Sequence, residues 1–295
     1  MYLISLSSIA IATLSIYSFL LLATLATAIT TRGRPDSGLR PRVYAWWVIA
    51  PVITASLLTY PLGVLALVLL IAGLALQDIC RLSVKPAQTL GCAALIAMMI
   101  VLIVMLLPAR AALVLGCLYW LAYLFFLLSK HRQACLLIAW CWTACGLGFL
   151  YLLTVDTGID TASRLSWLFF LIVCTCLNDV AQYLTGTRFG KHKLVASVSP
   201  NKTVQGLIGG LLFSAVFCML LGSYLQLASL PWLCAIGIWL AIAGFCGDLL
   251  FSAVKRRLGI KDFSSLIPGH GGILDRADSL MLTAPALYVA LRIVQ

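Results

Sequence analysis

The sequence predicts an all-α, polytopic integral membrane protein of about ten transmembrane helices, with nine as the alternative count. Three observations lead there. Of its 295 residues 63% are hydrophobic and 10% charged, with a mean hydropathy of +1.08, more apolar surface than a soluble core needs. Apolar stretches recur at about 16 to 26 residues, near the length that crosses about 30 Å of hydrocarbon. Lysine and arginine cluster in the loops between these stretches rather than scattering along the chain.

The stretches are 3–28, 44–60, 61–78, 89–107, 111–129, 134–154, 165–184, 206–228, 231–251 and 279–294. Ala26-Thr27-Ala28 has the look of a signal-peptide cleavage site. No Lys or Arg precedes the first apolar run, however, and the run is long for a signal, so a retained first span is expected. Tyr60-Pro61 and Pro108-Ala109-Arg110 make tight turns, because proline drives the residue before it out of helical geometry. The tenth stretch is short and carries Arg292. Residues 1–164 read as scaffold helices, and 165–295 as the part carrying a site. Asp36, Asp78, Asp156 and Asp160 are expected at solvated loop edges, leaving no buried charge in the N-terminal half. Most of the eleven cysteines lie inside apolar runs without C-x-x-C pairs, where cysteine acts as a small hydrophobe.

Threading ten spans puts the loops at 29–43, 79–88, 130–133, 185–205 and 252–278 on one side. They hold 17 of the 20 basic residues; only Arg110, Arg164 and Arg292 fall on the other. The positive-inside rule makes the crowded side cytoplasmic and the N-terminus external. The formal charge of +11 is therefore a topology signal, and beyond that a signal for an anionic substrate, not for nucleic acid. The 185–205 and 252–278 loops share that face and can form one site.

Segment 252–278 packs nine titratable side chains between two apolar spans: Lys255, Arg256, Arg257, Lys261, Asp262, His270, Asp275, Arg276 and Asp278. Asp248 ends the preceding span, where a carboxylate costs a few kcal/mol unless paired, hydrated or metal-bound. Asp275 and Asp278 are spaced i, i+3, so a helix beginning at Ile273 projects both from one face. Two such oxygens plus Asp248 suit Mg²⁺, which takes few protein carboxylates and fills its shell with water and phosphate. Arg276 lies between them, placed to neutralise phosphate. The alternative is an ordinary helix start at which acids offset the dipole. Ahead of it, Gly269-His270-Gly271-Gly272 offers backbone N–H groups that can approach an anion closely, with His270 as a substrate contact. Among Lys255, Arg256, Arg257 and Lys261, at least one is expected on substrate and the others at the membrane surface. Asp179, then Lys191, Ser199, Lys202 and Thr203, add an intramembrane acid and small polar and basic groups fit for a polyphosphate.

Ser252-x-x-Lys255-Arg256, Lys261-Asp262 and Pro268-x-His270-Gly271-Gly272-Ile273-x-Asp275-Arg276-x-Asp278 together resemble the signature of the phosphatidate cytidylyltransferases, or CDP-diacylglycerol synthases. Asp179, Tyr183, Gly186, Phe189-Gly190-Lys191 and Ser199-Pro200-x-Lys202-Thr203 resemble that family's second block, and Gly247-Asp248-Leu249 its third. The resemblance runs over 178–281. It implies packed membrane helices, commonly dimeric, that join CTP to phosphatidic acid with Mg²⁺, releasing pyrophosphate. It makes Asp248, Asp275 and Asp278 the metal and catalytic acids. Lys202, Lys255, Arg256, Arg276 and His270 become nucleotide and phosphate contacts, with Ser252 and Lys261 in the same motif. Two departures stand out: Phe251 where the family usually has Glu, and Phe263-Ser264-Ser265 where many bacterial members read Ser-Gly-His. The alternatives are a CTP-dependent polyprenol or dolichol kinase-like enzyme, an ion-coupled transporter and a non-catalytic membrane scaffold. A second metal ion, of unspecified identity, is left open beside Mg²⁺.

Overall fold

A computed structural model describes residues 2–30, 39–106, 108–156, 158–266 and 271–294. Among them every regular element is a helix. In chain order these are α1 (Tyr2–Thr30), α2 (Leu39–Leu58), α3 (Leu62–Leu82), α4 (Pro86–Leu106), α5 (Pro108–Leu128), α6 (Arg132–Val155), α7 (Thr161–Phe189), α8 (Val204–Tyr224), α9 (Leu230–Leu258), the single turn α10 (Leu274–Ala277) and α11 (Leu280–Val294). Eight of them are long and apolar enough to cross a bilayer; α2 contributes the shorter apolar stretch Val43–Leu58. The tenth expected span is α11, at 15 residues. The fold is that of a polytopic helical membrane protein.

The core runs through α6, which packs on α3, α4, α5, α7, α9 and α11. Its Trp142 is fully buried, ringed by Tyr119, Phe126 and Phe251 at centroid distances of 5.9, 5.5 and 6.1 Å. Most large apolar side chains of α1, α4 and α5 point outward, as lipid-facing residues do. On the other side α7, α8 and α9 form a close layer. A Cβ at Gly209 would fall 2.5 Å from the Thr185 side chain, and one at Gly237 would fall 2.6 Å from the Ser214 carbonyl. Small residues let these backbones approach.

Four of the five loops expected on one side meet at one end of the bundle; most of the fifth, 29–43, lies outside the described residues. Arg132 donates to the carbonyls of Leu82 (3.2 Å) and Leu258 (3.0 Å). Arg257 donates to the Ser129 carbonyl at 2.9 Å and to that of Phe126, and lies 3.7 Å over the Phe126 ring. Arg256 bonds the Val198 carbonyl at 3.0 Å. Arg132 and Arg257 satisfy carbonyls left open at helix C-termini, where the dipole also favours positive charge, while Arg256 ties α9 to the α7–α8 loop. Helix α9 ends at Gly259 with φ +69°, a left-handed residue that stops a helix cleanly.

At the opposite end Asp156 is only 14% exposed in its side chain. It accepts from the Gly158 N–H at 2.9 Å and from the Tyr288 hydroxyl, and Arg292 lies 3.9 Å away. The expectation of a freely solvated Asp156 is thereby corrected. Arg292, which made the last span look insecure, reaches back to that carboxylate.

Candidate active site

Helix α9 carries Asp248, Ser252 and Lys255 on successive turns. Ser252 donates to Asp248 Oδ1 at 3.2 Å, and Asp248 Oδ2 sits 2.5 Å from the ammonium of Lys202. Lys202 comes from the α7–α8 loop, held by an isolated bridge between Lys193 and Thr203. Thr203 then caps α8, its hydroxyl accepting from the Gly206 N–H at 3.1 Å, a bond N-terminal caps supply to an otherwise orphan donor. Lys202 also reaches Gln182 Oε1 at 3.4 Å and stands 5.3 Å from the Phe245 ring.

Opposite Asp248 lie Asp179 of α7 and Asp278, between α10 and α11. Helix α9 is flush against the second of these: a Cβ at Gly247 would be 2.6 Å from the Asp278 carbonyl oxygen. Ser279 joins the acids, its hydroxyl on Asp179 Oδ1 at 3.2 Å and its N–H on Asp278 Oδ1 at 2.9 Å. Burial, then the fields of Asp248 and Asp179, push the Asp278 carboxyl well above its ordinary pKa, against the pull of Lys255. Burial also works against a charged Lys202, yet Asp248, Asp179 and Asp278 outweigh it and raise its pKa. Three carboxylates thus gather around Lys202, with Lys255 acting on Asp278 and Arg276 on Asp179 from farther off.

Asp275 sits in a different setting three residues earlier. Its Oδ1 is 2.8 Å from the Lys255 ammonium, and its Oδ2 accepts from the N–H groups of Phe263 (2.8 Å) and Gly272 (2.9 Å). The pair is sealed, with side chains 10% and 2% exposed. Removing one partner of such a pair costs about 3–5 kcal/mol, because the other charge stays buried alone. Gly271 adopts φ +82°, and a Cβ there would fall 2.7 Å from Asp275 Oδ2.

Asp78 of α3 corrects the expectation of an N-terminal half without buried charge. The helix runs on to Leu82, so Asp78 is a turn inside it and fully buried. Its Oδ2 accepts from the Ile273 N–H at 3.0 Å, just before Asp275. The signal was available in the sequence: an acid at the end of an apolar run is an intramembrane carboxylate by default.

The other expected residues divide. Ser199 and Lys191 belong to the α7–α8 loop; the Lys191 side chain is exposed, and its N–H bonds Gln205 Oε1 at 2.9 Å. Lys261 and Arg276 are exposed beside the same end, and Arg276 lies within electrostatic reach of Asp179. Arg256 is engaged with the carbonyls of Val198 and, at 3.2 Å, Ile260. His270 lies outside the described residues. An open cleft of about 460 Å³ is lined by Arg188, Phe189, Gly190, Lys191 and Gln205.

Among the described residues no three His, Cys or acidic side chains stand close enough to hold a metal ion. An ion here would take fewer protein ligands and complete its shell with water and phosphate oxygens. That is how Mg²⁺ binds beside nucleotides, so the donor set fits it.

A family model described as the cytidylyltransferase family matches residues 40–294. The chain is 47% identical over 124 residues to the uncharacterized protein YnbB of Escherichia coli (strain K12), covering 42% of this chain and 41% of that one. It is 38% identical over 169 residues to a phosphatidate cytidylyltransferase of Staphylococcus saprophyticus, and 37% identical over 169 residues to one of Staphylococcus epidermidis. Each of these two matches covers 56% of this chain and 63% of the relative. The chain therefore spans less than two thirds of the length of these relatives.

Proposed function

This chain belongs to the cytidylyltransferase family, and on that premise we propose that it joins CTP to the phosphate of a membrane lipid, phosphatidic acid, to give CDP-diacylglycerol and pyrophosphate. The observation that carries the reading is the meeting of Lys202 and Asp248 with Asp179 and Asp278 at one end of the helices. A lipid phosphate can reach that end with its acyl chains still in hydrocarbon, while the nucleotide arrives from water. The positive-inside count supports the cytoplasm as the side of entry.

The lipid phosphate oxygen attacks the α-phosphorus of CTP, and the bond to the β-phosphate breaks, with pyrophosphate carrying away the electron pair. The nucleophile is anionic at neutral pH, so no strong base is required. What opposes the reaction is repulsion between polyanions and the charge growing on the leaving group. Lys202, Arg276 and Lys191 answer it with positive charge near the phosphates. Mg²⁺, held by Asp248 and Asp278 with Asp179 nearby, would neutralise phosphate oxygens and orient the two reactants. Asp275 and Lys255 fix the turn from which Asp278 projects.

The test is purified protein with Mg²⁺, α-labelled CTP and a panel of lipid phosphates and polyprenols. Label entering phosphatidic acid with release of pyrophosphate is expected, and chelation of Mg²⁺ should abolish it. Release of CDP with a newly phosphorylated alcohol would point to a kinase. No labelled or phosphorylated lipid from any acceptor would leave a scaffold.

A further inference from the structure

We propose that Asp78, from the N-terminal half, is a positioning residue that sets where Asp278 stands. The inference rests on the catalytic reading above for its rate effects, and on geometry alone for the rest.

The turn at 272–275 is gripped from two sides. From α9, Lys255 holds Asp275, whose other oxygen takes the N–H groups of Phe263 and Gly272. From α3, Asp78 takes the next N–H along, that of Ile273, at 3.0 Å. Gly272 lies between the two grips: a Cβ there would fall 2.4 Å from Asp78 Oδ2 and 2.7 Å from Ser264 Oγ. Both carboxylates are buried, Asp78 at 0% and Asp275 at 6% exposure, so water does not compete for these N–H groups. Among the described residues Asp78 has no ion-pair partner. An uncompensated carboxylate inside an apolar helix is costly, and here its hydrogen bonds go to the Ile273 and Leu274 N–H groups of this turn and to the Ser264 side chain beside it. The turn leads directly into α10 and Asp278. Letting it go frees Asp278 to move relative to Asp248, and a shift of about 1 Å in a reacting group can cost about 10²-fold in rate.

The experiment compares Asp78→Ala, Asp78→Asn, Gly272→Ala and Asp78→Ala/Gly272→Ala with the wild type in detergent or nanodiscs, with Ile79→Ala as a packing control. Ile79 is equally buried in α3 and lies outside the grip. Asp78→Ala should lower kcat by about 10²-fold with KM for CTP within about threefold of wild type, the pattern of lost positioning rather than lost binding. Asp78→Asn, which keeps an oxygen acceptor, should recover most of that. Ile79→Ala should lower the unfolding midpoint and leave kcat alone. Gly272→Ala should lose activity by itself and add less than its full effect to Asp78→Ala, since the nearer of the two groups it strikes is gone while Ser264 Oγ remains, and such non-additivity marks a shared contact.

Hydrogen exchange supplies a readout that needs no activity. The amides at 272–275 should exchange at least about tenfold faster in Asp78→Ala, with the rest of the chain unchanged. Unchanged exchange there, or a kcat loss no larger than that of Ile79→Ala, overturns the proposal. If Asp78→Ala does not fold, Asp78→Asn and Gly272→Ala still decide: normal exchange in both overturns it. A wild type that transfers no cytidylate defeats the catalytic reading, and exchange alone then judges Asp78.

Discussion

Asp275 and Asp278 are three residues apart, equally buried, and differently employed. Asp275 has both oxygens occupied, by an ammonium and two backbone N–H groups. Asp278 has one N–H on one oxygen, and stands among the carboxylates of Asp248 and Asp179. The first arrangement is complete within the protein and holds a turn. The second crowds three acids around Lys202, and burial with their mutual repulsion raises the Asp278 pKa. One acid holds the architecture, and on the proposed function its neighbour is the one set aside for chemistry.

Replacing the two should therefore fail in different ways. The largest effect is expected at the open cluster: Asp278→Asn and Asp248→Asn should each lower turnover by about 10³-fold or more, by analogy with loss of a key electrostatic group, with little change in unfolding midpoint. Asp275→Asn should lower turnover less, by about 10²-fold through the displaced turn, and should also cut stability by about 3–5 kcal/mol as Lys255 loses its partner. Thermal unfolding in detergent separates the two, and a stable Asp275→Asn beside an unstable Asp278→Asn would reverse the assignment. Lys255→Met should reproduce the Asp275→Asn phenotype.

A smaller effect on turnover is expected at Phe251, fully buried against Trp142 and Phe263. Phe251→Ala should cost about 3–5 kcal/mol of stability as a core truncation, with turnover per folded molecule retained. The smallest effect belongs to the exposed Lys191: Lys191→Ala should raise KM for CTP by about two- to fivefold, the weight of one solvated charge contact, leaving kcat unchanged.

The helices were largely legible because spanning lipid demands long apolar runs, and the loops show where they end. The sharing of one end by the 185–205 and 252–278 loops was legible too, from charge alone, and the Arg256 bond to the Val198 carbonyl makes it physical. Partner choice was not legible. Nothing in a linear pattern says that Lys255 takes Asp275 while Lys202 takes Asp248, since both lysines lie near several acids. Asp78 was missed because helix α3 extends past the apolar run to Leu82, turning a loop-edge acid into a buried one. Phe251 and Phe263, the two places where the chain departs from the resembled pattern, prove to be neighbours with centroids 6.3 Å apart. The ammonium of Lys255 stands 5.7 Å from the Phe263 ring, so both departures build one apolar floor under the Lys255–Asp275 pair.

Gly247 has no side chain to offer a substrate, yet a single methyl group on it would collide with the main chain of Asp278. The gap between the helix bearing Asp248 and the strand of backbone bearing Asp278 is thus fixed by a hydrogen atom where other residues have carbon. On the proposed function, alanine or serine at that position would silence the site by wedging two acids apart with no charged residue replaced.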